Sequence, residues 1–221
     1  MTEAINAFLL VFAALFPVVN PPGSAMVFLT MTKRASTATR QMLARRVAIN
    51  AFFVMAASLL VGAFILQIYG ISIPVLRIAG GLVVAASGWT LLNSGSTKED
   101  ATLSSDSKVE YASQAFYPLT LPLTTGPGTI AVMISLGLSR AAYADHRSEF
   151  AFLIGGLLAT LTIAVAIYLC FTFSDWVAKV LGRGGTDIAV RLSAFILFCL
   201  GVQIVWTGVS DLIRQFIPVA A

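Results

Sequence analysis

The stretch Phe-Pro-Val-Val-Asn-Pro-Pro-Gly-Ser-Ala at residues 16–25 has a counterpart 105 positions later, Leu-Pro-Leu-Thr-Thr-Gly-Pro-Gly-Thr-Ile at residues 121–130. The two stretches align without a gap, so that Pro22 matches Pro127 and the glycine after each also aligns. Each copy interrupts a run that is apolar enough to cross a bilayer. Proline removes a backbone donor, so a break within hydrocarbon needs protein or a wet cavity around it. Two equivalent breaks therefore predict the binding site of a transporter.

The composition of the whole chain is that of a membrane protein with several spans. The chain of 221 residues is 58% hydrophobic and 11% charged, with a mean hydropathy of +0.90, which is too apolar for a soluble domain of this size. The net charge of +4 describes the loops. Because no basic patch is interleaved with aromatic residues, the expected partner is the lipid bilayer and no nucleic acid.

Six apolar runs predict an all-α membrane protein with six transmembrane helices, arranged as two inverted three-helix repeats. The first helix of each repeat contains one of the two breaks. A straight helix over the first run would be ~43 Å long against a hydrocarbon core of ~30 Å, so this run must tilt, break or dip back on itself. The predicted spans are residues 4–32, 47–69, 71–92, 115–138, 150–173 and 192–210.

A polar segment separates the two repeats. Residues 93–114 are rich in Ser, Thr and mixed charge, which is typical of a solvated linker. We therefore predict a first repeat at 1–92, a cytoplasmic linker at 93–114 and a second, inverted repeat at 115–221.

The positive charges predict the orientation. Five cations and no acid lie between the first two spans, namely Lys33, Arg34, Arg40, Arg45 and Arg46. With Arg77 and Arg191 left aside, nine Lys and Arg residues fall on the predicted inside and three on the outside. This distribution satisfies the positive-inside rule when the N-terminus is outside.

The breaks carry groups that suit a small zwitterion. Pro21, Pro22 and Pro127 cannot donate to the carbonyl oxygens four residues earlier, and those oxygens can hold a cation or an ammonium group. Ser24 and Thr129 are the predicted N-caps of new half-helices, whose free amides and dipole attract a carboxylate. The combination predicts a free amino acid as the ligand.

The predicted substrate-binding site combines both breaks. No Asp or Glu lies within an apolar run, so we expect selectivity for molecules without net charge. A kink that only shapes packing is the alternative for either break taken alone. The predicted binding residues are Asn20, Pro21, Pro22, Gly23, Ser24, Thr124, Thr125, Gly126, Pro127, Gly128 and Thr129.

Two arginines lie near the start of the third span of each repeat. In an inverted pair, Arg77 and Arg191 lie at opposite membrane faces, where they either gate the path or reach the headgroups as snorkelling side chains. Asp175, Asp187 and Asp211 lie at span ends and are interpreted as solvated.

No catalytic or metal site is predicted. His146 has no cysteine or acidic cluster at ligand spacing, and no nucleophile elbow, phosphate-binding glycine loop or metalloprotease motif is present. We expect no enzymatic activity and no cofactor. Coupling to sodium or to protons stays open, because backbone carbonyls could serve sodium and no embedded carboxylate indicates proton transfer.

Three motifs together resemble one family: Asn-Pro-Pro-Gly at 20–23, Thr-Gly-Pro-Gly-Thr at 125–129 and Gly-Ile-Ser-Ile-Pro-Val-Leu-Arg-Ile-Ala-Gly-Gly at 70–81. The chain resembles the MarC family of bacterial inner-membrane proteins over essentially its whole length. This resemblance implies six spans with both termini periplasmic. SnatA-like relatives are described as transporters of small neutral amino acids such as glycine, alanine and serine. Grouping with amino-acid exporters of the LysE type implies export by analogy alone.

The predicted function is secondary transport by alternating access at the paired broken helices, with export as the direction that the analogy implies. One alternative is a drug or small-solute efflux protein of the same fold, with a wider and more aromatic cavity. The other is a non-transporting membrane scaffold, in which the breaks only shape helix packing. Small residues at helix-packing spacing are compatible with a homodimer or with contacts inside one chain.

Overall fold

A computed structural model of the chain describes residues 2–32, 35–93, 115–139 and 146–216. Within these ranges the secondary structure is helical and contains no strand, which confirms the all-α class. A π-helical segment, Ala115–Thr124, precedes the fifth α-helix. The α-helices are α1 (Thr2–Val19), α2 (Pro21–Met31), α3 (Thr37–Tyr69), α4 (Ile73–Asn93), α5 (Pro127–Ser139), α6 (His146–Thr172) and α7 (Ser174–Phe216).

Five described helices are long and apolar enough to cross a membrane. They are Thr2–Leu29, taken through the first break, Thr37–Tyr69, Ile73–Asn93, His146–Thr172 and Asp187–Gln215. The apolar part of α5, Pro127–Leu138, is shorter. The predicted span at 115–138 is therefore divided between the π-helical segment and a helix too short to cross by itself.

Helix α3, which contains the second predicted span, begins earlier than hydropathy predicts. Ser36 is the N-cap of α3 and accepts a hydrogen bond from the Thr39 amide at 3.1 Å. Arg40, Arg45 and Arg46 consequently lie on the first turns of α3 and not in a loop, because arginine is a good helix former. Hydropathy locates only the apolar part of such a helix. Lys33, Arg34 and linker residues 94–114 lie outside the described residues.

The last helix bends at a glycine. Gly182 in α7 has φ 67° and ψ −179°, a conformation that is essentially restricted to glycine. The bend separates the first turns of α7 from its apolar part, Asp187–Gln215.

One hydrophobic core joins both predicted repeats. Phe28 of α2 and Phe171 of α6 are fully buried and stack with ring centroids 4.4 Å apart. Leu43 and Met55 of α3 belong to the same cluster, as does Ile163 of α6. Many large apolar side chains outside this core are exposed, as expected for surfaces that face lipid.

Helices α4 and α7 pack with their backbones in close contact. A Cβ atom built on Gly81 would lie 2.7 Å from the Val205 amide nitrogen, and one built on Gly201 would lie 2.3 Å from the Ala85 nitrogen. Small residues permit this approach, which brings together the third predicted span of each repeat.

Candidate functional site

The first break is centred on Asn20, between α1 and α2. Asn20 adopts the left-handed conformation, φ 46° and ψ 63°, and its side chain accepts a hydrogen bond from the Gly23 amide at 3.3 Å. Asparagine tolerates this conformation better than most residues and is a favoured N-cap. The prolines at 21 and 22 occupy the first helical positions, where their missing amides cost nothing.

The prediction that Ser24 caps this helix is wrong. Ser24 lies in the first turn of α2, where its hydroxyl donates to the Val19 carbonyl oxygen at 3.0 Å and its amide donates to the Asn20 carbonyl oxygen at 2.9 Å. Because the two prolines have no amide and Gly23 is capped by Asn20, the N-terminus of α2 has no amide left for a carboxylate. The free amides expected after Gly23 are therefore already used.

The second break begins with two extended residues inside the π-helical segment. Tyr117 (φ −126°, ψ 125°) and Leu121 (φ −110°, ψ 127°) each precede a proline, which disfavours helical geometry at the preceding residue. The hydroxyls of Thr120 and Thr124 each donate to a carbonyl oxygen five residues earlier, both at 2.7 Å. Threonine side chains thus add buried hydrogen bonds to backbone carbonyl oxygens of this irregular segment.

Helix α5 starts at Pro127, so Gly126 and not Thr129 occupies its N-cap position. In the described part of this helix, the first amide that bonds to a backbone acceptor is that of Ile130, which donates to the Gly126 carbonyl oxygen at 3.2 Å. The amides of Gly128 and Thr129 precede it in the first turn, where α5 itself supplies no acceptor. The second break therefore offers two amides that the first does not.

The glycines of the two breaks lie against neighbouring helices. A Cβ atom on Gly23 would lie 2.6 Å from Cβ of Ser193 in α7, and one on Gly128 would lie 1.8 Å from Cγ2 of Val84 in α4. Side chains fill the space beside both glycines, so neither glycine opens a pocket at its Cα atom. Each break instead packs closely against the third predicted span of the other repeat.

The two broken segments also contact each other. Helix α1 packs against α5, and α2 packs against the π-helical segment. The part before the first break thus contacts the part after the second break, and the reverse also holds. This pattern is expected when the two broken segments are antiparallel and their breaks lie at a similar depth. Thr124, Thr125 and Thr129 are at most 2% exposed, whereas Pro22 and Pro127 are exposed.

The two candidate gate arginines have different surroundings. Arg77 of α4 forms an ion pair with Asp211 of α7, and its Nε donates to the Ser135 hydroxyl of α5 at 3.2 Å. Arg191 is exposed on α7, and within the described ranges no carboxylate pairs with it. Asp211, interpreted as a solvated end, is partly exposed but also joins α7 to α4 through this ion pair.

A second ion pair joins the two repeats at another place. Arg40 of α3 pairs with Asp175 in the first turn of α7 and also donates to the Ala35 carbonyl oxygen at 3.1 Å. Asp175, interpreted as solvated, is 40% exposed and in addition holds this ion pair. Neither pair can be predicted from the sequence, because the partners lie 135 and 134 residues apart and no local pattern marks them.

The family model described as MarC family integral membrane protein matches residues 5–213. The chain belongs to the MarC family. The inner membrane protein MarC of Salmonella typhimurium (strain LT2) is 30% identical over 221 residues, covering 98% of this chain and 100% of that protein. The protein of the same name from Escherichia coli O1:K1 is also 30% identical with the same coverage. A membrane protein of Archaeoglobus fulgidus is 31% identical over 207 residues, covering 94% of each chain. No solved structure matches this chain.

Proposed function

We propose that this MarC family chain is a secondary transporter of small neutral amino acids, such as glycine, alanine or serine. By the LysE analogy it works as an exporter. The observation that carries the proposal is the contact between two broken segments, one of which starts a helix with two amides lacking an acceptor in that helix. The names of the Salmonella and E. coli relatives support a location in the bacterial inner membrane.

In this proposal, the chain crosses the membrane six times as two inverted repeats, with both termini in the periplasm. The reciprocal packing of each break against the third span of the other repeat supports this arrangement. The excess of Lys and Arg on one side gives the orientation.

The two breaks divide the recognition of the amino acid between them. The carboxylate binds the amides of Gly128 and Thr129 at the N-terminus of α5, with the Thr129 hydroxyl as a further donor. The ammonium group binds carbonyl oxygens at the end of α1, where Pro21 and Pro22 leave the carbonyls of residues 17 and 18 without their usual donors. Neither break contains a charged side chain, so a zwitterion is preferred over a net ion.

Rocking of the two repeats about this site alternates access. The ion pair between Arg77 and Asp211 closes the periplasmic mouth, and that between Arg40 and Asp175 closes the cytoplasmic mouth. Arg191, without a carboxylate partner in the described residues, reaches the headgroups. The proposal requires no cofactor and no catalytic step.

Exchange of labelled alanine by the purified protein in liposomes tests the substrate. We expect glycine and serine to compete, whereas propionate and ethylamine, which each lack one of the two charged groups, should not. A drug exporter would be indifferent to these compounds, and a non-transporting scaffold would show no exchange. Either result would contradict the proposal.

A matched pair of variants tests the site. Thr129→Val keeps the side-chain shape and removes the hydroxyl, and we expect a loss of exchange of roughly tenfold, as for a hydrogen bond to a charged group. Thr160→Val is the control, because the buried Thr160 hydroxyl bonds to its own helix, at 3.2 Å from the Gly156 carbonyl oxygen. Equal exchange rates in the two variants would remove the second break from the site.

A further inference from the structure

An apolar groove lies on the surface between α3 and α6, away from both breaks. Its volume is about 540 Å³, which is within the range of small-ligand sites. Helix α3 contributes residues between Arg45 and Phe53, and α6 contributes residues between Leu161 and Tyr168. Apart from the Arg45 guanidinium and the Tyr168 hydroxyl, the lining is apolar.

The groove runs from one end of the bundle toward its middle. The Arg40–Asp175 pair brings the start of α3 beside the start of α7, which directly follows the end of α6. Helices α3 and α6 are therefore antiparallel, and Arg45 lies level with Tyr168. Between Arg45 and Phe53 the helix rises ~12 Å at 1.5 Å per residue.

The depth of the groove matches the boundary between headgroups and acyl chains. Arg45 lies just before the uncharged run of α3, which begins at Val47. Its end of the groove is therefore at headgroup level, and the end lined by Phe53 is within hydrocarbon. An acyl chain fits the apolar part, and a phosphate fits the charged end.

The charge at the headgroup end has no carboxylate partner among the described residues. Arg45 is exposed, and in the described ranges no carboxylate pairs with it, whereas Arg40 pairs with Asp175. Basic sites between transmembrane helices on the cytoplasmic side bind anionic headgroups. A two-fold dimer through this face would bring Arg45 toward its own copy, since such an interface places one patch against itself.

We infer that this groove binds one anionic phospholipid of the leaflet in which α3 begins, which the charge distribution makes the cytoplasmic leaflet. Arg45 and the Tyr168 hydroxyl hold the phosphate. One acyl chain lies along Phe52 and Phe53. This site is independent of the proposed transport.

Native mass spectrometry of the full chain, purified in mild detergent and incubated with equal amounts of phosphatidylglycerol and phosphatidylethanolamine, tests the inference. We expect the unmodified chain to retain one phosphatidylglycerol in preference to phosphatidylethanolamine. Arg45→Gln should lower this retention roughly fivefold, the effect of one cation near the membrane surface. Val165→Trp, at an exposed position in the lining, should fill the groove and abolish retention.

Arg46→Gln is the matched control. Arg46 is also exposed and lies one residue further along, about 100° around the helix, so it does not line the groove. Its substitution should leave lipid retention unchanged. Thermal unfolding of each variant checks that it is folded.

Three results would overturn the inference. Equal losses in the Arg45 and Arg46 variants would indicate unspecific attraction to the surface. Equal retention of the two lipids would remove the selectivity for negative charge. Dimers without retained lipid, dissociated by Val165→Trp, would assign the groove to a second copy of the chain. The readout is lipid mass, so failure here is distinguishable from failure of amino-acid exchange.

Discussion

At the scale of single residues, Asn20 sets the first break. It is the only residue other than glycine with positive φ in the described ranges. Its conformation turns the chain out of α1, and its side chain caps α2. The sequence predicts Asn20 in the site but Ser24 as the cap, because the position of a cap depends on backbone angles that composition does not reveal.

Substitutions at Asn20 separate these two roles. Asn20→Ala should lower the free energy of unfolding by about 2 kcal/mol, from a lost cap and a left-handed alanine. Asn20→Gly should lower the free energy of unfolding by only a few tenths of a kcal/mol, because glycine adopts the left-handed conformation freely and is tolerated at the N-cap. Thermal unfolding in detergent measures the order of stability of these variants. If the alanine variant were as stable as the glycine variant, the left-handed conformation at residue 20 would not be strained for alanine, and the prediction would be wrong.

Gly128 is needed for contact with α4. Gly128→Ala places a Cβ atom 1.8 Å from Cγ2 of Val84, so we expect a loss of about 1–3 kcal/mol in stability from overpacking. Val84→Ala removes the clashing atom, and the double variant should be more stable than Gly128→Ala alone. Gly184→Ala is the control, because nothing lies within 4 Å of its added Cβ atom. If Val84→Ala did not restore the stability lost in Gly128→Ala, as measured by thermal unfolding, Gly128 would not pack against Val84 of α4.

At the scale of elements, the sequence predicts the breaks well and the helix ends poorly. Prolines act on their own neighbours, so the ends of α1 and of the π-helical segment follow from local rules. The start of α3 does not, because Arg40 to Arg46 continue the helix outside the hydrocarbon while lowering its hydropathy. The threonine hydroxyls that bond to carbonyl oxygens five residues earlier were also not predicted, because the sequence predicts a broken transmembrane α-helix where the structure has a π-helical segment.

The ion pair between α4 and α7 gives a prediction at this scale. Arg77 and Asp211 are 30% and 32% exposed, and the third partner Ser135 holds the guanidinium in place. A double-mutant cycle with Arg77→Gln and Asp211→Asn should give a coupling energy of about 1 kcal/mol, as expected for a pair partly open to solvent. Arg191→Gln, at the equivalent position of the other repeat, should leave stability within about 0.5 kcal/mol. A coupling energy of zero would make the Arg77–Asp211 contact incidental.

At the scale of the whole molecule, the sequence predicts two related halves but not how they interlock. The repeat is visible because both copies keep the same break. The reciprocal packing of Gly23 on α7 and Gly128 on α4 is not visible in the sequence, because sequence spacing contains no information about which helices become neighbours. For the same reason, neither ion pair could be predicted. It also explains why Gly23 and Gly128, which are predicted as binding residues, were not expected at close helix contacts.

The orientation of the two halves gives the last prediction. Single cysteines at four exposed positions, Ala38, Ser72, Arg147 and Lys179, are introduced into a chain whose two native cysteines are replaced by alanine. If the repeats are inverted with the N-terminus outside, a membrane-impermeant maleimide should label positions 72 and 147 in intact cells. It should label positions 38 and 179 only after permeabilisation, because the positive-inside rule places the starts of α3 and α7 in the cytoplasm. The Arg40–Asp175 pair already requires those two starts to lie together, so positions 38 and 179 must react from the same side. Labelling of position 147 together with position 179 would mean that α6 does not cross the membrane, and the inverted arrangement would then be wrong.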